Sequence, residues 1–92
     1  RCAEACGRNV LARLGELPGG LDDVERLVKL TVFVAAAPGF DRPHLVANGA
    51  SDVLLAELGE RGRHARSAIG VASLPLGSPV EVEAIALLRR NA

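Results

Sequence analysis

The side chains of this sequence best suited to chemistry gather on two stretches in its last third. Arg66 stands in His64-Ala65-Arg66-Ser67, and the residues that alternate with it, Ala68, Gly70 and Ala72, are all small. A guanidinium beside small neighbours has room to take a carboxylate through two parallel N–H bonds. On pattern alone, the plainer reading of the same arginine is an edge-strand charge or half of an ion pair. Farther on, Glu81 and Glu83 share one face of a strand. One of them could move a proton or hold a water, although a solvated strand face is the plainer reading. His64 reads as a loop residue rather than a base. Cys2 and Cys6 are four apart, which is not the C-x-x-C spacing of a zinc ribbon or redox site, and no metal site is expected. They read as helix-face residues, with a redox or partner contact as the alternative.

Those side chains need elements to position them. From Cys2 to Leu17, Cys2, Cys6, Val10 and Leu14 recur every fourth residue, with Ala3 and Leu11 widening the stripe, which predicts a helix. Pro18-Gly19-Gly20 stops it; Gly19-Gly20 is a terminator here, not a nucleotide cradle. From Glu25 to Ala37, Val28, Leu30, Val32 and Val34 alternate with Leu27, Lys29, Thr31 and Phe33, a strand with one apolar face. Pro38-Gly39 ends it, and a loop through Phe40, Asp41, Arg42 and Pro43 leads to a second helix from His44 to Leu58. Its expected inner side is Leu45, Val46, Val53, Leu54 and Leu58. The last third reads as a hairpin, Ala65 to Leu74 and Val80 to Leu88, joined by a five-residue turn that suits an antiparallel pair. The order α-β-α-β-β is an α+β layer with both helices on one sheet face. The flat run Ala68-x-Gly70-x-Ala72 invites a second subunit onto the other face.

Composition narrows the function classes. In 92 residues, eleven basic and eleven acidic side chains cancel, so no global field draws the chain to nucleic acid or anionic lipid. No Tyr or Trp and only two Phe are present, which leaves nothing to stack on bases. No apolar run approaches the roughly 20 residues that span a bilayer. Fifteen Ala, fourteen Leu and ten Val build an aliphatic core that is marginal for a lone monomer. Two cysteines and no apolar leader fit a reducing cytoplasm. The absence of Met means that an initiator was removed or that Arg1 is not the natural start.

Four ordered motifs add a resemblance. Gly20-Leu21-Asp22-Asp23-Val24 followed by Val28-Lys29-Leu30-Thr31-Val32-Phe33-Val34, then His64-Ala65-Arg66-Ser67-Ala68-Ile69-Gly70-Val71, then Leu74-Pro75-Leu76-Gly77 running into Val80-Glu81-Val82-Glu83-Ala84-Ile85-Ala86, resemble the Rid (RidA/YjgF-type) family of reactive imine and enamine deaminases, once labelled endoribonuclease L-PSP. Val46-Ala47-Asn48-Gly49-Ala50-Ser51-Asp52 looks like a less-studied branch. The resemblance implies a chorismate-mutase-like fold and a homotrimer with clefts between subunits. It implies that Arg66 grips the carboxylate of a small imino acid and that Glu81 holds or activates water. Ammonia and a 2-keto acid would leave, without a cofactor. Asn48 falls near the family's helix asparagine, shifted by about one residue. Family members begin with an N-terminal β-hairpin that is missing here, and with it go a cleft tyrosine and serine. Residues 1–92 are thus expected to be one Rid-like domain lacking its first strands. Ala68 stands where many members have cysteine. The rival reading is a non-catalytic trimeric module that binds small carboxylates; the ribonuclease label is opposed by the balanced charge and the missing aromatics.

Overall fold

The computed structural model describes residues 2–36 and 42–89. Helix α1 runs Cys2–Leu14, strand β1 Val24–Ala35, helix α2 Pro43–Leu58, strand β2 Ala65–Val71 and strand β3 Val80–Leu88. Short 3₁₀ turns occupy Gly20–Asp23, Gly59–Gly62 and Pro75–Gly77. The α-β-α-β-β order and the α+β class are as the sequence reads. Helix α1 stops at Leu14, and Pro18-Gly19 follows only after a further turn. The predicted strand end at Ala37, Pro38 and Gly39, and the loop residues Phe40 and Asp41, lie outside the described residues.

The strand pairing differs from the expected hairpin. Strand β1 is central: β2 lies parallel to it on one side and β3 antiparallel on the other, so β2 and β3 do not pair with each other. A short link between two strands is the usual mark of a hairpin, but β1 has two long edges, and each shorter strand takes one. The connection crosses the end of β1, whose Ala36 N–H donates to Val71 O at 3.0 Å while its Ala35 N–H donates to Pro79 O at 2.9 Å. Eight residues, 72 to 79, easily span the two strand spacings of about 10 Å. Leu76 turns that link with φ 59°, the left-handed region that L residues seldom enter.

The core sits between the sheet and both helices. Leu27, Leu30, Val32 and Val34 from β1 and Val80 from β3 meet Ala3 from α1 and Ala47, Ala50, Leu54 and Leu58 from α2. Two assignments of facing residues change. Val28 is exposed and Leu27 takes its place inside, because the β1–β3 register slips between Leu27 and Lys29, a bulge that turns one side chain outward. On α2, Leu45 is exposed, Leu54 and Leu58 are buried as expected, and the small Ala47, Ala50 and Ser51 join them inside, because α1 crosses closely there. A Cβ on Gly7 would lie 3.0 Å from the Ala50 carbonyl oxygen, so the crossing depends on a glycine. Ala68 packs against this core rather than facing a partner. The uncovered sheet face carries Ile69, Ile85 and Leu87, all exposed.

Candidate functional site

Strand register decides which side chains can meet. Arg66 stands opposite Leu30 in the parallel pair, and Leu30 faces the helices, so Arg66 reaches up beneath α2. There its Nη1 donates to Asn48 Oδ1 at 2.8 Å and to Ser51 Oγ at 3.2 Å. Nη2 donates to the His44 carbonyl oxygen at 3.3 Å. Asn48 and Ser51 project from α2 at i and i+3, and with the His44 carbonyl they form one polar stripe on the helix. A guanidinium has five N–H groups. After these three bonds, Nε–H and one N–H on Nη2 remain, enough for a two-point grip on a carboxylate.

Arg66 borders a cavity of about 860 Å³, lined also by Ser51, Leu55, Glu60, Arg63 and His64. Its rim carries an exposed ion pair, Arg63 Nε to Glu60 Oε2 at 2.8 Å. His64 precedes β2 in the loop the sequence gives it, yet its ring is bonded at both nitrogens. Nδ1 contacts the Gly62 carbonyl oxygen, and Nε2 lies 3.0 Å from Ser51 Oγ. Arg61 is structural: its Nη1 donates to Leu21 O at 2.9 Å and Val24 O at 2.6 Å, tying the turn after α2 to the start of β1.

Glu81 is not part of this group. It pairs with Phe33, an odd number of residues from Leu30, and so points to the uncovered sheet face. It also lies on β3, across β1 from Arg66. The structure therefore brings Arg66 and Asn48 together and leaves Glu81 on the opposite face and edge. Glu83 shares that face, opposite Thr31, and is exposed. At the β3 margin, Glu81 borders a shallow pocket with Cys6, Asn9 and Val80. The Cys6 thiol donates to Val80 O at 3.8 Å. Burial first, then the neighbouring Cys2 and Glu81, push that thiol above its ordinary pKa. Both cysteines are free, and among the described residues no cluster of His, Cys, Asp or Glu could hold a metal ion. Among them, too, no helix is long and apolar enough to cross a membrane.

Sequence reasoning missed Ser51 and the role of the His44 carbonyl. The signal that could have found Ser51 is its i+3 step from Asn48 on a helix whose other inner residues are apolar.

Comparison with known proteins bears on this arrangement. Residues 3–88 match the family named Endoribonuclease L-PSP. Protein TCP17 of Trypanosoma cruzi is 51% identical over 84 residues, 90% of this chain and 52% of that protein. The crystal structure of Atu1372 from Agrobacterium tumefaciens, a protein of unknown function, superposes with a TM-score of 0.91 at 48% identity, covering 95% of this chain and 55% of that one. Yeast Mmf1 gives a TM-score of 0.64 at 33% identity, over 95% of this chain and 61% of its own. The chain thus spans about half the length of the first two relatives.

Proposed function

The chain belongs to the endoribonuclease L-PSP (YjgF/Rid) family, and from that premise we propose that it hydrolyses reactive 2-imino or enamine acids to 2-keto acids and ammonia. One observation carries the reading: Arg66 is fixed from behind by Asn48, Ser51 and the His44 carbonyl while two of its N–H groups stay free beside a cavity. Such a group grips a carboxylate in a fixed orientation, which sets the adjacent C=N carbon in place. Water then adds to that carbon and gives a proton to Glu81. Glu81 passes that proton to the nitrogen, giving the carbinolamine. It then takes the hydroxyl proton and hands it to the amino group as the C–N bond breaks, so that ammonia leaves and the C=O of the keto acid forms. Hydrolysis of this kind needs water and a base.

Within one chain Arg66 and Glu81 face away from each other, so in this reading the site is shared. Glu81 of one copy approaches Arg66 of the next in a homotrimer, packed through the face that carries Ile69, Ile85 and Leu87. The placement of the two residues supports this, since neither alone completes the chemistry. The test follows keto-acid release from freshly generated 2-iminobutanoate. Arg66→Ala is expected to lower kcat/KM by at least about 100-fold, the loss of a two-point charged contact. Unchanged turnover in Arg66→Ala would end this assignment.

A second reading has its own support. The cavity beside Arg66 is lined by residues of one chain without Glu81, which fits a binding module for small carboxylates. Saturable, Arg66-dependent binding of 2-oxobutanoate with no turnover of the imine would favour it.

A further inference from the structure

The cavity holds a hydrogen-bond chain that the deamination reading does not use. The Gly62 carbonyl oxygen has no proton to give, so its contact with His64 Nδ1 requires the proton on Nδ1. In the neutral ring, Nε2 is then bare and can only accept, and the group beside it is Ser51 Oγ, 3.0 Å away. Ser51 must spend its one hydroxyl proton on His64. Its oxygen lone pairs are thereby turned to Arg66, whose Nη1 lies 3.2 Å away and donates. Every donor and acceptor in the line points one way, from Arg66 through Ser51 and His64 to Gly62. The backbone anchor is itself rigid: Gly62 is buried, and a Cβ there would fall 2.7 Å from the Leu54 carbonyl oxygen of α2. Ser51 is also buried, so its hydroxyl has few other partners to choose.

We propose that Ser51 and His64 are positioning residues for Arg66, a chain locked in one direction by the Gly62 carbonyl that holds the guanidinium with its free edge toward the cavity. The inference rests on the carboxylate-binding reading of Arg66 but not on the deamination step. Without the chain, the guanidinium keeps Asn48 and the His44 carbonyl and can swivel about them. A carboxylate must then bear the cost of ordering it.

The experiment uses the full-length protein in its native assembly, with 2-oxobutanoate as the probe in calorimetric titration. His64→Leu and Ser51→Ala are each expected to weaken binding about tenfold, the worth of one hydrogen bond to a charged group. His64→Gln places an amide oxygen where Nε2 stood and is expected to bind within about twofold of the wild type. Nitrogen chemical shifts of His64 are expected to show the Nδ1–H tautomer in the neutral ring. An Nε2–H tautomer, or His64→Leu binding as the wild type does, overturns the proposal. So does His64→Gln failing like His64→Leu, since the site would then need an imidazole for its shape. If the wild type binds no 2-oxobutanoate, the carboxylate reading fails instead. The positioning proposal is then decided by the tautomer and by the Arg66 Nε–H exchange rate, which His64→Leu must raise.

Discussion

Arg66 and Glu81, the two residues that the proposed deamination needs, have opposite surroundings. Arg66 is half-buried and held at three points by α2, whereas Glu81 is exposed on the bare face of β3. In the proposed shared site, the carbon that Glu81 serves is therefore brought to it by another copy. Inside the chain Cys6 reports on Glu81, since the Cys6 thiol is pushed upward by burial, Cys2 and Glu81. A raised thiol pKa leaves less thiolate at any pH below it, and thiolate is the species that alkylates. Cys6 is thus expected to react with iodoacetamide at pH 8 more slowly than a free thiol. Glu81→Gln removes one raising charge and is expected to speed Cys6 by a modest factor, roughly twofold. Peptide mass spectrometry of the Cys6 site reads both rates. An unchanged rate in Glu81→Gln would mean that the two side chains do not sense each other. Arg66, Glu81 and Asn48 were marked by motifs in the sequence, and the structure brings the first and last of them together. Ser51 was not, because a serine inside a helix carries no signal until the strand beneath it is placed.

The elements teach a related lesson about register. Period-two alternation correctly marked β1 as a half-buried strand, and it correctly separated Arg66, Ala68 and Gly70 from Ser67, Ile69 and Val71. It could not show the slip in β1, because Leu27 and Val28 are both apolar and either satisfies the pattern. The partner strand decides: Ala86 faces Leu27 and Ile85 faces Lys29, which leaves Val28 as the extra residue. Energetically the two sites should behave differently. Leu27 is 0% exposed and Val28 39%. Leu27→Ala is expected to lower the unfolding free energy by about 2–5 kcal/mol, the range for a buried Leu. Val28→Ala should cost under about 1 kcal/mol. Urea denaturation measures both, and equal losses would mean the slip is misplaced. The lost hairpin has the same origin as the slip. Loop length reports how far two strand ends lie apart, and a third strand fits between ends about 10 Å apart.

At the scale of the molecule, an α+β layer with helices on one side leaves its other side in want of cover. Ile69, Ile85 and Leu87 stand exposed there beside Glu81, so a copy packed on that face would bring apolar contact and a carboxylate together. A ring closed by head-to-tail contacts gives each subunit one Arg66-bearing side and one Glu81-bearing side. This arrangement makes a prediction that a site within one chain cannot meet. Arg66→Ala and Glu81→Gln, each nearly inactive as a pure assembly, are expected to regain activity when the two proteins are unfolded together and refolded as an equal mixture. A site is whole only where an intact Arg66 from a Glu81→Gln subunit meets an intact Glu81 from an Arg66→Ala subunit. Random assembly makes that so at about one site in four. Keto-acid release from 2-iminobutanoate should therefore return to about a quarter of the wild-type rate. If Arg66 and Glu81 acted within one chain, every subunit would carry one broken half and mixing would restore nothing. Recovery in the mixture, with none in either variant refolded alone, separates the shared site from the single-chain site by arithmetic that depends on neither substrate affinity nor absolute rate.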